Sequence, residues 1–258
     1  MNDEIGLVDY VAGGGKLTSP ANANARYRGE IMRLMAVFVD SEMAGASGFA
    51  DSINLAPGLK DRMVAARLVL EKFGHAERVL GIMEEFGANT LRYVEQHPWD
   101  NRLDRNTDLG TKRIDGDMRL NVFHYPITDW CDALNMNTLM GCATVIQLKE
   151  LSGCSYQPLA DAFAEILPAE TRHAHLGEAG LRRLLADGYD RALVQDSVDY
   201  WYPRVASTFG RASSDHFETY CQFGLRQRSN EELFASWRES AERILMGLGL
   251  DVPKVAFE

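Results

Sequence analysis

The stretch Ala160 to Leu185, ADAFAEILPAETRHAHLGEAGLRRLL, limits more than any other what this chain can fold into. It reads as a helix carrying Glu170-Thr171-Arg172-His173. A glutamate and a histidine three positions apart share one helical face, about one turn apart. Four-helix bundles assemble buried di-iron or di-manganese sites from two such Glu-x-x-His units plus one carboxylate from each of the other two helices. The motif therefore asks for three more helices, a second histidine with an acid one turn before it, and two further acids.

The pattern supplies the helices. Ile31, Leu34, Met35, Phe38 and Val39 form a helical stripe between Tyr27 and Gly48, and Glu42 continues it. A carboxylate on an apolar stripe needs a partner. After the break at Ala56-Pro57-Gly58, a second helix runs from Leu59 to Phe86 and is closed by Gly87. Residues 88–123 read as a short helix and a polar connection, with turns at Asp108-Leu109-Gly110 and Asp115-Gly116. Pro126 opens a third long helix, Ile127 to Leu151, which is apolar nearly all round and so central. The fourth follows Ser155-Tyr156-Gln157-Pro158, and Pro168 inside it predicts a kink. Further helices are expected over 189–206, 214–227 and 230–247. No strand pattern competes, so the expected class is all-α. The like layout of the two long-helix pairs suits a bundle with pseudo-twofold symmetry.

Within this frame the site is found by register. His75 is the candidate second histidine; Lys72 stands three positions before it and Glu71 four. Glu42 precedes His75 by 33 positions, and at a similar offset before His173 stands Gly141. The expected positions thus read Glu42, Lys72, His75, Gly141, Glu170 and His173. A protonated lysine has no lone pair and glycine no ligand atom. Glu71 would approach through a local π-bulge, and Asn137, one turn before Gly141, offers an oxygen. Gly141 either lets helices approach closely or leaves room for a substrate, and beside a bound metal it would give an open coordination position. Three arrangements stay open. Lys72 bridges Glu42 and Glu170 in place of a metal; or Glu42, His75, Glu170 and His173 hold one iron, manganese or zinc ion; or two ions bind with substitutes for the missing ligands. Asp40, nearby on the first helix, reads as solvated or capping.

Composition narrows the function classes. A formal charge of −10 argues against a nucleic-acid partner. No apolar run approaches the roughly 18 residues of a membrane span, and MNDEIGLVDY lacks the pattern of a signal peptide. Cys131, Cys142, Cys154 and Cys221 have no C-x-x-C spacing and read as reduced thiols of a cytoplasmic protein. Residues 1–24 read as an irregular leader. Gly13-Gly14-Gly15-Lys16 lacks the Walker spacing and a preceding strand.

Further matches occur in order along the chain: Tyr27-Arg28, Ser41-Glu42, Ala56-Pro57, Gly74-His75, Tyr125-Pro126 with Trp130 and Asp132, Ser155-Tyr156, Glu170-x-x-His173 with Gly177, Pro203, Phe209-Gly210, Asn230-Glu231-Glu232-Leu233 and Leu248 to Pro253. Together they resemble the phenylacetic acid catabolic protein family, and within it the catalytic subunit of a multicomponent phenylacetyl-coenzyme A monooxygenase, a ring epoxidase. The resemblance implies an all-α, ferritin-like four-helix bundle with additional C-terminal helices. It implies one ferritin-like domain over residues 1–258, with the core bundle over 25–187 and extra helices over 188–250. It further implies that Lys72 and Gly141 replace a glutamate and an aspartate ligand. An active protein of this kind would be a metal- and O2-dependent monooxygenase acting on an aromatic acyl-CoA thioester, with one or two irons and a separate reductase. The alternative is a metal-free structural partner or small-molecule binder. Either way the resemblance implies a homo- or hetero-oligomer with ferritin-like subunits, without membrane or nucleic acid. No catalytic residue beyond the ligand positions is assigned.

Overall fold

A computed structural model of the protein describes residues 2–111, 114, 116–212 and 216–257. Asp115 of the second expected turn, and Ser214 at the start of one expected helix, lie outside the described residues. The helices are α1 (Asn2–Ala12), α2 (Ala25–Ser52), α3 (Leu59–Glu85), α4 (Thr90–Glu95), α5 (Trp130–Leu151), α6 (Gln157–Ala186), α7 (Arg191–Ala206), α8 (Phe217–Gln222) and α9 (Asn230–Gly247). The described residues form no strand, and the class is all-α.

Four long helices make the bundle. α2 packs along α3, α5 packs along α6, and the pairs meet through α3 against α6 and α2 against α5. α7 and α9 cover the outer side of α5. This explains why α5 is apolar nearly all round: Cys131 through Gly141 are buried without interruption. The layout is that of a ferritin-like bundle with helices added C-terminally.

Local chemistry sets the helix ends. The Asn24 side chain accepts from the Tyr27 amide at 2.8 Å and starts α2. α5 begins at Trp130 rather than at the expected Ile127, because the Asp129 side chain accepts from the Asp132 amide at 2.7 Å and acts as the N-cap. α6 runs from Gln157 through Pro168 to Ala186. Ser229 and Glu232 form a reciprocal capping box at the start of α9. The expected irregular leader is corrected in part: residues 2–12 form α1, whose Val11 lies against Gly224.

Asp40 also departs from expectation. It is buried and accepts from the Tyr93 hydroxyl and from the Met118 amide at 2.6 Å, so it ties the 116–120 connection onto α2.

Two apolar cores share the bundle. One holds Tyr27 to Met43 of α2, Ala76 to Met83 of α3 and Leu159 to Ile166 of α6. The other holds Ala44 and Phe49 of α2, most of α5, and Trp201 and Trp237 of α7 and α9. The changeover falls between Met43 and Ala44 on α2 and beyond Ile166 on α6. The polar residues singled out by register sit at this level.

Candidate functional site

α2 supplies Glu42, α3 supplies Glu71, Lys72 and His75, and α6 supplies Glu170 and His173. Spacing places them: Lys72 and His75 are one turn apart on the buried face of α3, as are Glu170 and His173 on α6. Glu170 and His173 are each only 1% exposed.

Lys72 occupies the centre. Its Nζ lies 3.1 Å from Glu42 Oε1 and 3.1 Å from Glu170 Oε1, with the second oxygens at 3.4 and 3.3 Å. His75 Nδ1 lies 3.0 Å from Glu170 Oε1 and 3.3 Å from Glu42 Oε2. Gly45, one turn after Glu42, lets the Phe123 ring come close: a methyl group there would lie 3.0 Å from that ring and in ordinary contact, 3.7 Å, with Lys72 Cδ.

The electrostatics follow from this geometry. Burial alone would pull the Lys72 pKa down, but the charges of Glu170 and Glu42 overcome it and raise it. Burial likewise opposes the charged form of His75, yet hydrogen bonds to Glu170 and Glu42 and their charges lift its pKa to about 9. Glu170 is pressed upward by burial and held well below the usual carboxylate range by Lys72, His173 and His75. Two acidic side chains thus face an ammonium and an imidazole whose protonated forms the site favours.

Glu71 stands outside this cluster and α3 carries it there without a π-bulge. Its carboxylate accepts from Arg172 at 2.9 Å and pairs with His173 Nε2. Burial raises its pKa, and His173 and Arg172 together bring it below the ordinary value. One polar atom is left over: His173 Nδ1 lies 3.2 Å from Glu170 Oε1, off the axis of a hydrogen bond, and is buried without a hydrogen-bond partner.

Gly141 is neither an open coordination position nor a place for a ligand. A methyl group at 141 would lie 2.9 Å from both Cα and Cβ of Ala174. Farther along the same seam, methyl groups at Gly177 and Gly180 would meet Thr138 and Leu134. The glycines bring α5 against α6, and the Asn137 side chain donates to the His173 carbonyl at 2.8 Å. Asn137 is therefore a clamp between helices and does not direct an oxygen at the cluster.

These residues do not fit a pair of metal ions. Glycine at 141 removes one ligand and Ala174 fills the space where a side chain would go. Lys72 places a cation between Glu42 and Glu170, two of the acids that would hold the ions, and like charges in one buried site repel. Among the described residues the one group of ligand atoms close enough for a single ion is Glu42, His75 and Glu170, all within 4.8 Å of one another. That is the volume around Lys72 Nζ. The sequence identified every member of this cluster by register alone. It missed Ala174 as the filler of the seam, since no pattern marks an alanine as different from any other core alanine.

No curated protein matches the chain. No helix among the described residues is long and apolar enough to cross a membrane. Residues 12–257, nearly the whole sequence, match the family described as phenylacetic acid catabolic protein. The chain belongs to the phenylacetic acid catabolic protein family.

Proposed function

We propose that this protein serves phenylacetate catabolism as a metal-independent, non-catalytic subunit that packs beside a ferritin-like partner. The observation that carries the reading is Lys72 Nζ, 3.1 Å from Glu42 and 3.1 Å from Glu170. The ammonium supplies the positive charge that ions would supply to those carboxylates, through charge-assisted hydrogen bonds. The chain closes its own polar core.

A surface feature supports the partner. On the outer face of α3, Leu59 is 75% exposed, Met63 64%, Leu70 73% and Phe73 42%. With exposed Ala66 these residues follow alternating steps of four and three, the spacing of a seam that another helix covers. Exposed apolar residues in a contiguous stripe mark interaction surfaces. The apolar surface of α5 needs no outside partner, because α6, α7 and α9 cover that helix within the chain.

A second reading keeps one metal ion. The unpartnered His173 Nδ1 and the Glu42, His75, Glu170 group favour it. The ion would have to displace Lys72 Nζ and take the proton from His75. In that case the oxygenase reading, with a separate reductase and an acyl-CoA substrate, regains force.

Elemental analysis of the folded protein after anaerobic iron loading separates the two. The proposal expects no stoichiometric metal and unchanged helicity. About one or two irons per chain would overturn it. The M63E/L70E double variant, which charges the seam, should leave the chain folded and abolish its association with ferritin-like subunits.

A further inference from the structure

A cavity of about 270 Å3 lies between α2 and α5. Leu34, Phe38, Phe123, Met140 and Leu148 give it an apolar lining, and Glu42 reaches its wall. Engineered apolar cavities of about 150 Å3 take up benzene, so this one has room for a ring with a short arm. Its outline is independent of the seam at Gly141, which Ala174 fills.

The same cavity is lined by Arg226, from the turn after α8. Nε and Nη2 of Arg226 are buried and have no hydrogen-bond partner. The guanidinium stands 6.0 Å from the centre of the Phe217 ring. Glu150, whose charge acts on it, has Oε1 engaged by the amides of Gln227 at 2.6 Å and Arg228 at 2.9 Å. Burial lowers the Arg226 pKa, and the charge of Glu150 offsets that only in part. A guanidinium nevertheless stays charged in proteins. Leaving its donors unmatched in an apolar setting is costly unless an anion completes them.

We infer that this cavity binds a small organic carboxylate with an aryl or short hydrocarbon body, its carboxylate held by Arg226. The planar fork of donors matches a carboxylate in two parallel hydrogen bonds. The apolar walls take the hydrocarbon, and the volume limits it to about one ring and a short linker. Glu42 on the wall disfavours a second anionic group on the ligand. This inference stands apart from the metal question, since neither the lining nor Arg226 depends on what neutralises Glu42 and Glu170.

The test is calorimetric titration of the full chain with phenylacetate and with its neutral isostere phenylacetamide. The acid should bind on the order of tenfold to a hundredfold more tightly than the amide, the worth of a charge-assisted pair. R226Q should erase that difference. T144W, which fills the cavity from α5 and leaves Arg226 in place, should abolish binding of both. It also keeps the question decidable if R226Q fails to fold. Equal affinity for acid and amide, no binding of the acid, or an R226Q variant that still prefers the acid would each overturn the site. Tight binding of phenylacetyl-CoA unaffected by R226Q would overturn it as well, in favour of a thioester held elsewhere. Iron uptake in the loading experiment would sink the metal-independent reading and leave this one standing.

Discussion

Lys72, a buried cation, and Arg226, a half-buried one with two buried nitrogens, are treated in opposite ways. Lys72 has two carboxylates at 3.1 Å. Arg226 has buried donors with no partner and its nearest acid turned to backbone amides. The first is complete as the chain folds; the second is complete only with something added. The contrast separates charge that holds the fold from charge kept for recognition.

The comparison breaks most sharply at Lys72. K72M should cost about 3–5 kcal/mol in denaturant unfolding, since it strands two buried carboxylates. The K72M/E42Q/E170Q variant should recover most of that loss, because exchanging a whole buried ionic cluster is far cheaper than removing one member. A triple variant as unstable as K72M would mean that packing of the lysine stem, not charge, holds the site.

A smaller effect follows from His75. Its pKa rises from 6.5 to about 9 on folding. The stabilisation it adds is fully present below pH 6.5 and is lost as pH rises through 9. Unfolding curves should show a fall of up to roughly 3 kcal/mol across that window, the linkage equivalent of the shift. H75Q should flatten the fall.

The smallest effect should come from R226Q. Removing a cation that lacks an anion should change stability by less than about 1 kcal/mol, with either no change or a gain. A loss near that of K72M would show that Arg226 already has its partner and would erase the comparison.

Much of this was legible in the sequence for physical reasons. Helical register brings residues three and four apart onto one face, so Glu42, Lys72, His75, Glu170 and His173 could be aligned before any fold was known. The bundle followed from the same periodicity. Three things did not follow. α1 carries little patterning within its short length. Asp129 outweighs Pro126 in starting α5 because its side chain reaches the Asp132 amide, a contest that spacing alone does not decide. Arg226 lies far along the chain from Leu34 and Met140, and only tertiary packing puts them around one cavity. Gly141 was ambiguous for a related reason: a glycine marks a close approach without naming what approaches.

The contact between Gly141 and Ala174 has a consequence for descent. In the genetic code one base separates lysine from glutamate, and one base can separate glycine from aspartate. Measured in codons, a ligand set of the kind the family resemblance implies is close at hand. Measured in space it is not, for Ala174 lies where even a methyl group at 141 would go. Placing Glu at 72 without first parting α5 from α6 would give three buried acids and no fourth carboxylate. The seam therefore works as a ratchet: tight helix packing makes any path to that ligand set pass through less stable proteins.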